Sequence, residues 1–112
     1  MPAGFVNTPQ PPYYAVIFTS QRTEGDDGYE AMAEAMMRLA TEQRGCLGAE
    51  SVRNGSGLGI TVSYFTDEEA VRAWKQNARH LAAQRAGRER WYSHYTLRVA
   101  KVERDYSGPE GR

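Results

Sequence analysis

Trp91–Tyr106, WYSHYTLRVAKVERDY, contains no Gly or Pro and is rich in Tyr, Thr, Val and Leu. Tyr95, Leu97 and Val99 alternate with His94, Thr96 and Arg98, the two-residue period of a β-strand. Fully extended, the stretch spans roughly 50 Å at about 3.3 Å per residue, whereas a common strand has about 5–6 residues. Two arrangements accommodate that length: a bulge that bends the strand, or a far half that pairs with a second copy of the chain. The second is the expectation here.

Before this strand, Thr66 and Glu69 have the spacing of a capping box, and Ala70, Val71, Trp74, Ala78 and Leu81 form the packing stripe of a helix. The helix is expected to run toward Arg90, with a basic end (Arg85, Arg88, Arg90) that suits the negative pole of its dipole. Cys46–Arg53 and Leu58–Phe65 read as strands joined by Asn54-Gly55-Ser56-Gly57, a hairpin signal. The second places Leu58, Ile60, Val62 and Tyr64 on one face and the smaller set Gly59, Thr61, Ser63 and Phe65 on the other. That smaller set borders either a cavity or solvent.

Farther upstream, Asp27 and Glu30 start another helix, whose apolar stripe is Tyr29, Met32, Ala33, Met36 and Ala40. Arg44 and Gly45 end it with a basic turn and a residue suited to a left-handed C-cap. Tyr13–Arg22 is the first strand, with Tyr14, Val16 and Phe18 on one face and Ala15 and Ile17 on the other. Residues 1–12, with four prolines, are expected to form a flexible arm or to lie on a partner subunit. Residues 13–106 make the domain, and 107–112 a C-terminal tail.

The order β-α-β-β-α-β gives a ferredoxin-like α+β fold, a four-stranded antiparallel sheet with both helices on one face. The strands carry apolar residues on both faces, and two helices cover only one. A second copy of the sheet would cover the other, so the expected architecture is a homodimeric β-barrel.

The 112 residues hold 14 basic and 14 acidic side chains, and that neutral balance offers no field for a nucleic-acid backbone. No apolar run approaches the roughly 20 residues of a membrane span, and the N-terminus lacks a signal-peptide pattern, so a cytoplasmic protein is expected. Cys46 stands alone, without an intrachain disulfide partner, and reads as a small apolar residue at a strand start. His80 and His94 have no nearby ligand set, and no metal site is expected.

One constellation could carry chemistry. Trp74, Asn77, His80 and Gln84 recur at spacings of three, three and four, along one slanting stripe of a helix. An indole can stack on a planar aromatic ligand, an amide can hold an oxygen, and an imidazole can move a proton near neutral pH. Tyr64, Tyr95 and His94 could join from the sheet. The plainer assignment makes Trp74 core and leaves the three polar residues in water.

The element order, the segment Glu68–Tyr92 (EEAVRAWKQNARHLAAQRAGRERWY) and the Trp91–Tyr106 ending together resemble the antibiotic biosynthesis monooxygenase family over about residues 12–106. The most specific features are Trp74 with His80 six residues on, and the aromatic-to-basic last strand. The resemblance implies a ferredoxin-like dimeric barrel. It also implies a cofactor-independent monooxygenase that oxidises an aromatic phenol or hydroquinone, with molecular oxygen as co-substrate. Trp74 would then be a wall of the site, His80 the base, and Asn77 or Gln84 the oxyanion donor. Gln84, Tyr64, Tyr95 and His94 are the expected substrate contacts.

Other members bind and degrade haem, which gives one alternative; a non-catalytic barrel that binds an aromatic metabolite gives another. The haem branch carries an asparagine on the first strand, where Thr19 and Ser20 stand here. Its haem-ligating histidine falls about where this chain has Gln84, and His80 is one turn early.

Overall fold

The computed structural model describes residues 4–22, 38, 42–85 and 92–109, with the backbone alone for 78–85, 92 and 93. Four strands, β1 (Tyr13–Arg22), β2 (Cys46–Arg53), β3 (Leu58–Phe65) and β4 (Tyr92–Val102), form one sheet in the order β2-β3-β1-β4. Every neighbouring pair is antiparallel. A helix, α1 (Glu68–Arg85), carries the chain from the Phe65 end of the sheet back to the Tyr92 end. This is the ferredoxin-like α+β arrangement. Residues 86–91 and most of the first expected helix lie outside the described residues, although Arg38 and Glu42 are helical.

The hairpin between β2 and β3 is built by Asn54. Its backbone N–H donates to Leu58 O (2.9 Å), and its side-chain Oδ1 accepts from the N–H groups of Ser56 and Leu58, each at 3.0 Å. The left-handed C-cap anticipated at Gly45 is present, with φ +87°. A Cβ there would also stand 2.8 Å from both Ala70 Cβ and Thr66 Oγ1, so glycine is required by conformation and by space.

The start of α1 differs by one residue from expectation. Asp67, not Thr66, is the cap: its Oδ1 accepts the Ala70 N–H at 2.8 Å, while the Thr66 N–H is taken by Gly45 O. The residue that satisfies the third helical amide is the one three positions before it, and Glu68 is the first helical residue.

The last strand also differs. All of β4 to Val102 pairs with β1 of the same chain, from Tyr13↔Val102 to Arg22↔Tyr92, and the only register shift falls between Gln21 and Arg22. β1 is itself 10 residues long and so reaches far enough to pair the far half of β4, which needs no second copy for this. The strand ends at Val102, short of Tyr106.

Register assigns the faces. Val16, Phe65, Ala70 and Val71 form the buried cluster between sheet and helix, with Tyr14, Cys46, Trp74 and Leu97 packed around it. Phe18, Ser20, Thr61, Ser63 and Tyr95 share that face by alternation. The opposite face carries Tyr13, Ile17, Glu50, Val52, Leu58, Ile60, Val62, Tyr64 and His94. No described helix is long and apolar enough to cross a membrane.

Candidate functional site

The Asp67 cap fixes where α1 begins, and Ala70, Val71 and Trp74 then fall on its buried side. The Trp74 ring lies 5.9 Å from Phe65, inclined at 47°. Phe65 is fully buried and anchors the end of β3, so the indole rests on a rigid wall. The Trp74 indole is half-buried, yet its Nε1–H is shut off from water and has no acceptor among the described residues. An unsatisfied buried donor costs about 1–3 kcal/mol, a penalty that a bound acceptor would remove.

On the sheet side, Phe18 and Tyr95 stack at 5.5 Å with a 39° tilt, and Tyr95 remains largely exposed. Beyond them Ser20 is buried, and its Oγ accepts from Arg53 Nη2 at 2.8 Å. Arg53 Nη1 donates to the carbonyls of Gly57 and Ser20. Ser51 and Thr61 link their hydroxyls at 2.7 Å across β2 and β3. The small-residue face of β3 is therefore the helix-facing one, and it is polar at the Ser20 end.

The residues singled out in sequence divide between the faces. Trp74 and Tyr95 are on the helix-facing side. His80 and Gln84 follow Trp74 on α1, and their side chains lie outside the described residues. Asn77 is exposed and donates its amide hydrogen to Gln43 Oε1 at 3.0 Å, so it is not drawn into the buried region. Tyr64 and His94 sit on the opposite face, away from Trp74.

Tyr64 has a different setting. Its hydroxyl donates to Glu50 Oε1 at 2.8 Å, and its ring meets Tyr13 edge-on at 5.9 Å. Burial and then the bond to the Glu50 carboxylate push its pKa up to about 12. Tyr13 is raised as well, first by burial and then by its bond to Asp105. Arg53, Glu50, Tyr13 and Asp105 carried no signal in the sequence: each partner lies on another strand or beyond one.

Residues 12–86 match the family described as antibiotic biosynthesis monooxygenase. The chain belongs to that family. YqjZ of Bacillus subtilis (strain 168), an uncharacterized protein, is 53% identical over 97 residues, which cover 87% of this chain and 85% of YqjZ. The fold is shared with SnoaB, a cofactor-independent oxygenase from Streptomyces nogalater, solved as a mutant. SnoaB has a TM-score of 0.67 and is 12% identical, with 83% of this chain and 95% of SnoaB covered. MhuD, solved as a mutant with two manganese protoporphyrin IX bound per active site, gives 0.64 at 18% identity, covering 85% of this chain and 99% of MhuD. A dimeric ferredoxin-like protein from Thermobifida fusca gives 0.64 at 13%, covering 88% and 99%. Proteins of this fold thus include an oxygenase, and the likeness to the solved structures is one of fold alone.

Proposed function

We propose that this chain is a cofactor-independent monooxygenase that oxidises a phenol or hydroquinone with molecular oxygen. The observation that supports it is the Trp74 N–H, which is buried beside Phe65 and has no acceptor among the described residues. A phenolate oxygen is a strong acceptor and carries a ring able to pack on the same aromatic wall.

The chemistry can be carried by the substrate. A phenolate is electron-rich enough to pass one electron to oxygen. The two radicals then combine at a ring carbon, and loss of water leaves a quinone. In balance, a phenol and one oxygen molecule give a quinone and one water. The protein's share is to exclude water, remove the phenol proton and stabilise the anion. Trp74 donates to the oxyanion, and Tyr95 lies on the facing sheet surface. His80, along α1, is the base, and Gln84 a further donor.

Two copies complete the assembly in this reading. Val52, Leu58 and Ile60 are exposed on the sheet face turned away from α1. A protein of this fold from Thermobifida fusca is dimeric.

Oxygen uptake with a panel of phenols and hydroquinones tests the proposal. Quinone formed in step with oxygen consumed, well above the uncatalysed rate, supports it; uptake at the rate of the protein-free blank rejects it. Titration with haemin separates the competing chemistry, since a saturable Soret band would move the assignment to haem.

A further inference from the structure

The N-terminal arm crosses the sheet on the face turned away from α1. At the β2 edge, the Val6 N–H donates to Glu50 Oε2 at 3.0 Å. Val6 also packs over Gly48, whose φ is +135° and where a Cβ would come within 3.1 Å of a Val6 methyl. The other Glu50 oxygen takes the Tyr64 hydroxyl from β3, and the Tyr64 ring abuts Tyr13 at the start of β1. Tyr13 donates to Asp105, just beyond β4, at 2.5 Å. Thr8 shares its hydroxyl hydrogen between Tyr13 (3.1 Å) and Asp105 (3.4 Å). The arm is thus a strap tied to β2 through Val6, and to the start of β1 and the segment beyond β4 through Thr8, with the Tyr64–Glu50 and Tyr13–Asp105 pairs holding its anchor points.

The strap carries one large exposed apolar side chain. Phe5, next to the seated Val6, is 65% exposed, and Val52 at 77%, Leu58 at 46% and Ile60 at 47% are exposed on the same sheet face. We infer that the strap is part of the surface that meets a second copy of this chain, with Phe5 as its apolar anchor. The inference rests on the two-copy reading above.

Area and charge favour that occupant. Strands about 4.8 Å apart, rising about 3.3 Å per residue over 10, 8, 8 and 11 residues, give this four-stranded face a projected area of only roughly 600 Å². A standard interface takes roughly 800 Å² from each partner. Because the strap lies on this face, a partner that covers the face also meets the strap's outer surface. Formal charge is balanced, 14 against 14, so two copies meet without net repulsion. A two-fold arrangement also sets the same apolar patch against itself, which self-complementarity requires.

Sedimentation velocity over a concentration series tests this with the full chain, Phe5→Asp and Glu50→Ala, each checked for fold by circular dichroism. Phe5 is exposed, so its replacement leaves the subunit folded. The expected result is a two-subunit wild type whose dissociation constant rises at least about tenfold in Phe5→Asp, the scale of losing one buried aromatic anchor. Glu50→Ala shifts it in the same direction. A two-subunit wild type with unchanged constants in both variants overturns the strap's role and leaves the two-copy reading standing. A wild type that stays a single subunit at every concentration overturns the two-copy reading and the inference with it.

Discussion

Tyr13 and Asp105 are joined by a 2.5 Å hydrogen bond that ties the first residue of β1 to the segment just past the end of β4. With Tyr64 and Glu50 beside them, they form a polar lock in which two phenols must keep their protons. Ionising either phenol would set an anion against the carboxylate that now accepts its hydrogen.

That arrangement makes stability depend on alkaline pH. A tyrosine whose pKa is raised on folding favours the protonated state. Its contribution is fully present below the ordinary value of about 10 and is lost as pH rises through the folded value, about 12 for Tyr64. The melting temperature of the wild type should therefore fall more steeply above about pH 10 than that of Tyr64→Phe, which has no phenol to ionise at this position. Parallel pH profiles for the two proteins would show that the Tyr64–Glu50 pair has no such role.

Phe65 is completely buried against Val16, Ala70, Val71 and Trp74. Phe65→Ala should reduce unfolding free energy by about 3–5 kcal/mol, the range for truncating a buried aromatic. Urea denaturation measures it, and the Trp74 emission should redden as water enters the cavity.

The cap of α1 gives a sharper contrast. Asp67→Ala should cost about 1 kcal/mol, because the Ala70 amide loses its acceptor. Thr66→Ala removes a hydroxyl whose one hydrogen bond among the described residues goes to the Asp67 carboxylate, at 3.4 Å, and should cost well under half as much. Equal losses in the two variants would restore Thr66 as the cap.

This one-residue difference shows where sequence reading stops. Thr66 and Asp67 both precede Glu69 and both can cap a helix, so local chemistry leaves the start ambiguous by one position. The hairpin at Asn54–Gly57 was legible, because one asparagine side chain organises the whole turn. The element order was equally legible over the described residues, since strand alternation and the helical stripe around Trp74 are local signals.

The candidate site was less so. His94 and Tyr95 are adjacent in an alternating strand, so only one can face the helix; the register of β4 on β1 decides for Tyr95. Tyr64 falls on the other face from Phe65 for the same reason. The length of β4 suggested pairing with a second copy, yet β1 proved long enough to pair it to Val102. Arg53 with Ser20, and Tyr13 with Asp105, join residues far apart in the chain, which no local pattern marks.

The proposed chemistry turns on the Trp74 N–H. Oxygen uptake by the wild type and Trp74→Phe, measured on the same phenol, compares an indole donor with a ring of similar character that has none. The expected outcome is wild-type uptake well above the protein-free blank and a loss of at least about tenfold in kcat/KM for Trp74→Phe, the scale of one lost hydrogen bond to a charged group. Wild-type uptake at the blank rate, or an equal kcat/KM in the folded Trp74→Phe variant, would contradict it.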